Sequence, residues 1–258
     1  MGATDMQATS PLLSIDGAIA TIQLRKPQYA NRLSPDDLSL LRQHLATVNA
    51  RDEVLVLRFK GEGKYFCSGY DISSLAADTA PSSLFFGATM DMIEAARPVT
   101  IAAVNGGAYG GGTDLCLACD FRIGVPDTNM FMPAARLGLH FYPGGMQRYI
   151  SRLGLNNAKR LFLTADKIDA KEMLQMGFLT EIVNADELEH RVDALSGQLA
   201  GMAPIALLGI KKHLNLIARG QIDTQDIEAA VLQSESSNDI IEGAAAWKQK
   251  RPPQFSGT

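Results

Sequence analysis

Thr100-Ile101-Ala102-Ala103-Val104 runs directly into Asn105-Gly106-Gly107-Ala108-Tyr109-Gly110-Gly111-Gly112 and then into Thr113-Asp114-Leu115-Cys116-Leu117-Ala118-Cys119: a strand, a glycine cluster and a helix. The apolar run after Pro98 shows no polar alternation, as a strand covered on both faces requires. Three successive glycines at a helix entrance leave backbone N–H groups uncovered, and the positive end of the helix dipole strengthens their pull on negative charge. Such a turn can hold an oxyanion or a phosphate. No Gly-Lys-Ser/Thr follows, as a P-loop needs, and the spacing departs from the Gly-x-Gly-x-x-Gly dinucleotide fingerprint. A glycine triplet also serves as a tight turn under close packing, so the cluster alone leaves both uses open.

Outward from this stretch the chain keeps an α/β rhythm. Ala18 to Leu24, Val54 to Phe59, Phe121 to Val125, Asn129 to Met132 and Phe178 to Val183 read as strands. Ser34 to Asn49 carries leucines at 38, 41 and 45 in helical spacing behind a Ser34-Pro35 start. Met146, Tyr149, Ile150 and Leu153 form another helix face, and Asp169 with Glu172 suits a capping box before Gly177. From Asp186 the pattern is helical only, with Leu188, Val192, Leu195 and Leu199 in one stripe, a helix over Ile205 to Ala218, and a broken third over Thr224 to Lys250. The expected organisation is an α/β core over 1–195 and a C-terminal helical region over 196–258, of the kind that packs on another subunit.

Composition narrows the function classes. The 258 residues are 46% hydrophobic and 20% charged with a net charge of −4, an ordinary globular balance. A chain of this length buries roughly 70 to 75% of its unfolded surface, so it needs neither disulfides nor a metal to fold. No apolar run reaches the roughly 18 residues of a bilayer span, and Met1 to Ser10 lacks a basic segment followed by an apolar one, so the expectation is a cytoplasmic protein with no membrane partner. The mild acidity and the lack of any Lys/Arg block argue against nucleic acid. Cys116 and Cys119 have C-x-x-C spacing but sit in an apolar helical run; they and Cys67 read as buried packing cysteines, with no metal site implied.

A second turn, Phe66-Cys67-Ser68-Gly69-Tyr70-Asp71, follows the strand at Val54 to Phe59. Two uncovered N–H groups from different loops converging on one point are what a thioester oxyanion hole needs. Pro98 through Gly112, continuing into Asp114-Leu115 and Ala118-Cys119-Asp120, resembles the signature of the enoyl-CoA hydratase/isomerase (crotonase) family. So, in the same order, do Pro27 with Ala30-Asn31-Arg32-Leu33, Phe66 to Ile72, Leu137-Gly138 with Gly145 and Gln147-Arg148, Leu163-Thr164 with Gly177, and Glu242-Gly243 through Lys250-Arg251-Pro252. The resemblance implies an α/β crotonase-like spiral of ββα units with a C-terminal helical oligomerisation region, forming a homotrimer or dimer of trimers. It implies an acyl-CoA thioester substrate, with coenzyme A as part of that substrate and no permanently bound cofactor. Carried over by position, the oxyanion hole is the backbone N–H groups of Tyr70 and Gly111, and the CoA contacts are Ser68, Ile72, Trp247 and Lys250.

The sequence departs from that pattern where hydration needs it most. Hydratases of the family hold and split water with two glutamates, and these positions carry Asp114 and Ala134 here. Alanine supplies neither the base nor the acid that water addition requires. Asp114 past the oxyanion glycines is similar to the dienoyl-CoA isomerase branch, although an acid there also suits the helix dipole. Tyr142 occupies the place of a further isomerase carboxylate, and a phenol with an unperturbed pKa near 10 is a poor base at neutral pH. His140 beside it is suited to acid/base work near neutrality. The leading expectation is proton transfer by Asp114, assisted by Tyr142 or His140, in isomerisation or hydration of an enoyl-CoA. The alternatives are decarboxylation or hydrolysis of an acyl-CoA, or a catalytically silent CoA-thioester-binding protein.

Overall fold

The computed structural model describes residues 9–71 and 82–258. A hairpin of β1 (Leu12–Asp16) and β2 (Ile19–Leu24) leads to α1 (Pro35–Asn49). Three units then follow one another: β3 (Val56–Gly61) and β4 (Tyr65–Cys67) before α2 (Ser83–Glu94); β5 (Val99–Val104) and β6 (Gly107–Tyr109) before α3 (Gly111–Ala118); β7 (Phe121–Gly124) and β8 (Asn129–Phe131) before α4 (Pro143–Leu153). The chain continues through α5 (Leu155–Thr164), β9 (Ile168–Asp169), α6 (Ala170–Gln175), β10 (Glu181–Ile182) and α7 (Leu188–Ala200) to the terminal α8 (Pro204–Ala218), α9 (Thr224–Glu235) and α10 (Asn238–Gln249).

The first strand of each unit joins a six-stranded sheet ordered β1-β2-β3-β5-β7-β10, and the second joins a four-stranded sheet ordered β4-β6-β8-β9. Neighbours from β2 to β10 are parallel, as are β4, β6 and β8. This is the expected spiral of ββα units. Its elements start where the local chemistry says they should: Ser34 accepts a hydrogen bond from the N–H of Asp37, whose carboxylate accepts from the Ser34 N–H at 2.8 Å, with Pro35 opening α1.

All six residues of β5 are buried. Val99, Ile101 and Ala103 pack with Leu188, Val192 and Leu195 of α7, while Ala102 and Val104 face the main core, which accounts for the unbroken apolar run. The expected boundary after residue 195 falls within α7, and Leu207 and Leu208 of α8 pack against the same cluster. The strand read over Phe178 to Val183 contracts to the two residues of β10. The glycine cluster is also more ordered than a turn: β6 forms inside it, before the helix begins. Among the described residues no single helix is long and apolar enough to cross a membrane.

Candidate active site

The turns after β4 and β6 lie side by side. The two strands pair in parallel with Cys67 level with Ala108, so Tyr70 and Gly111, each three residues further on, fall at corresponding places. Gly69 has φ +86°, and a Cβ on it would lie 2.8 Å from the amide nitrogen of Gly112 and closer still to that of Gly111. The backbones therefore touch, which only glycine permits. On its other side the Ser68 to Asp71 segment is held by backbone bonds: Ser68 N–H donates to Ala30 O at 2.9 Å, Leu33 N–H to Gly69 O at 2.8 Å and Asp71 N–H to Leu33 O at 3.0 Å. Gly110, at φ +51°, donates to Phe131 O at 3.0 Å. Helix α3 begins with Gly111, whose N–H is one of the first-turn donors that have no acceptor within the helix.

These turns open on a cavity of about 350 Å³. Ser68, Tyr70, Gly110 and Gly111 line it, together with Ala134, His140 and Tyr142. The structure thus gathers most of the expected site residues onto one cavity. Ile72 lies outside the described residues. Trp247 stands on α10 and Lys250 caps its C-terminus; both are exposed, and neither lines this cavity within a single chain.

Asp114 is placed differently from a carboxylate facing substrate. It is fully buried and does not line the cavity. Tyr142 stands between, lining the cavity with its ring and donating its hydroxyl to Asp114 Oδ2 at 2.6 Å. Behind, Arg148 grips both carboxylate oxygens, Nε to Oδ1 at 2.8 Å and Nη2 to Oδ2 at 2.7 Å. The same guanidinium donates from Nη1 to Asp91 at 2.6 Å and Glu94 at 3.0 Å. Glu94 in turn accepts from Arg152 at 2.8 Å and from Arg219. Three carboxylates and three guanidiniums thus neutralise one another under the cavity floor. The only cavity-lining carboxylate among the described residues is Asp71, paired with Arg32 at 3.2 Å.

Burial pushes the Tyr142 phenol well above its usual pKa, and the adjacent Asp114 charge pushes it further. Burial disfavours the charge on Arg148, but Asp114 and Glu94 outweigh it and hold the guanidinium protonated more firmly than usual. For Glu94 burial raises the pKa, and Arg148, Arg219 and Arg152 together bring it below the ordinary carboxylate value. His140 Nδ1 lies 2.8 Å from the carbonyl oxygen of Phe141. That oxygen can only accept, so Nδ1 carries the hydrogen in this contact. The three cysteines are buried thiols without a disulfide, and burial raises each pKa; they pack rather than react. The sequence reading missed the Arg148 cluster: Gln147-Arg148 was visible as a motif, but its partners come from α2 and α3.

Comparison with known proteins fits this architecture. The profile described as Enoyl-CoA hydratase/isomerase matches residues 14–258. A crotonyl-CoA hydratase of Syntrophomonas wolfei is 32% identical, over 95% of this chain and 96% of its own. A peroxisomal Delta(3,5)-Delta(2,4)-dienoyl-CoA isomerase of Arabidopsis thaliana is 28% identical, over 93% of this chain and 94% of its own. Among solved structures, an enoyl-CoA hydratase from Bacillus anthracis superposes with a TM-score of 0.87 at 30% identity, covering 96% of this chain and 100% of that one. With the match running through both sheets, the cavity turns and the terminal helices, the chain belongs to the enoyl-CoA hydratase/isomerase family.

Proposed function

We propose that this protein binds an acyl-CoA thioester, polarises its carbonyl between the N–H groups of Tyr70 and Gly111, and reacts through the resulting enolate. The observation that carries the reading is the level placement of these two residues on one cavity wall, at the start of α3. Donors fixed in advance where negative charge develops stabilise it without reorganising. Hydration by two carboxylates does not suit the site, because Ala134 lines the cavity where the second would stand.

The arrangement around Asp114 favours making the enolate without a side-chain base. Loss of CO₂ from a 2-carboxyacyl-CoA does this: the bond from C2 to the carboxylate breaks, its electron pair passes into the enolate, and C2 then takes a proton from His140 or water. A second reading is double-bond isomerisation, favoured by the 2.6 Å contact that links the cavity-lining Tyr142 hydroxyl to Asp114. In that case Tyr142 would relay the proton, and Asp114 would accept it despite the Arg148 grip. Trp247 and Lys250 would reach CoA from a neighbouring copy. The apolar residues exposed on α8 to α10, Ile210, Leu214, Leu232, Ile241 and Trp247 among them, support such a homo-oligomer.

The test is a panel of enoyl-, dienoyl- and 2-carboxyacyl-CoA thioesters followed by mass spectrometry and ultraviolet absorbance. The expected result is loss of CO₂ from a 2-carboxyacyl-CoA. An absorbance change at constant mass would select isomerisation, and a mass gain of water would overturn the assignment. CoA binding with no thioester altered would leave the silent-binder reading.

A further inference from the structure

Tyr142 occupies its position by an arrangement that involves three elements. Its ring lies against Gly87 of α2, where a Cβ would come within 2.5 Å of the ring carbons, and against Gly145 of α4, where a Cβ would lie 2.7 Å from Cε2. Phe141 stacks on it with centroids 4.2 Å apart, and Phe86 stands 6.0 Å away. The hydroxyl at the far end is fixed by Asp114, itself gripped by Arg148. A ring wedged over two glycines and anchored at its tip cannot swing aside without breaking a buried hydrogen bond.

The ring forms part of the cavity wall. Tyr142 lines it, whereas Asp114, directly beyond, does not. Its volume of about 350 Å³ is near the lower end of ordinary ligand sites, about 300 to 1,000 Å³, and the thioester and its pantetheine end must share that space. We propose, resting on the acyl-CoA reading above, that the Tyr142 ring is the stop that limits the substrate to short, compact acyl groups. Gly87 and Gly145 set the depth of that stop, because each leaves the space the ring backs into.

The experiment measures dissociation constants for a series of saturated, unreactive acyl-CoAs from acetyl to decanoyl by calorimetry. Each methylene admitted to an apolar cavity tightens binding by about fourfold. In the wild-type protein this gain is expected to stop at a short chain. In Tyr142→Ala it continues for at least two further methylenes, about 15-fold in all by the same increment. Tyr142→Phe, which keeps the ring, leaves the break where it was, and Gly87→Ala, which crowds the ring toward the cavity, moves it to a shorter chain. Tyr142→Leu gives the same readout should the alanine variant fail to fold, with circular dichroism as the check. Binding in all variants with an unmoved break would overturn the stop while leaving the acyl-CoA reading intact. No binding of any acyl-CoA by the wild-type protein would overturn both.

Discussion

Replacing Arg148 by methionine tests the buried cluster most directly. Methionine keeps an unbranched apolar stem and removes every donor. Arg148 is 1% exposed and makes four hydrogen bonds to three carboxylates. Glu94 would keep Arg152 and Arg219, and the half-exposed Asp91 would turn to water, but Asp114 would retain only the Tyr142 hydroxyl. An uncompensated buried charge of this kind costs about 3 to 5 kcal/mol. For a chain of this size each kcal/mol lowers Tm by about 2 to 4 °C, so the expected drop is about 6 to 20 °C. Urea denaturation at fixed protein concentration checks it, with an unchanged m-value showing that stability rather than denatured-state compactness has moved. Adding Asp114→Asn removes the stranded charge and should restore part of the loss, so the two changes are strongly non-additive. A single variant within about 1 kcal/mol of wild type, or a double variant no better than the sum of the singles, would refute the account of Asp114 as an anchored anion.

Gly111→Ala brings a Cβ within 2.6 Å of Phe86 Cζ; it should leave a folded protein, checked by circular dichroism, with turnover of the active thioester about 10²-fold lower as the proposed donor is displaced. Alkaline stability should fall between pH 9.0 and about 12: the unfolded chain gives up the Cys67 and Cys119 protons near 9.0, while the buried thiols hold theirs to about 12. Stability is thus kept below 9.0 and lost as pH rises through this window, by about 1.4 kcal/mol per unit per thiol, and Cys119→Ala should flatten the Tm profile there. Trp247 is the chain's single tryptophan and 89% exposed. If it meets CoA at a subunit boundary, its emission should shift on CoA addition in the oligomer and stay unchanged in a dissociated monomer.

The elements readable in the sequence are those whose burial pattern is local. The Leu38, Leu41 and Leu45 spacing of α1 and the unbroken run of β5 each follow from which faces are covered. The helix α2 was not read, because its interior Gly87 and its contacts with Arg148 and Tyr142 make sense only once α4 is folded against it. The site divides similarly. Glycines at 69 and 110 to 112 mark close backbone approach, but it is the family resemblance that singles out Tyr70 and Gly111 beside them. Asp114 could be named but not oriented, since a carboxylate facing substrate and one held by an arginine thirty-four positions away look the same along the chain.

The repeat also limits how many donors the cavity wall can offer. In the four-stranded sheet Cys67, Ala108 and Met130 are level across β4, β6 and β8. Three residues past each stand Tyr70, Gly111 and Pro133, all lining the cavity. The first two can present an N–H and the third, a proline, has none. The third turn therefore lines the cavity without adding a backbone donor to it.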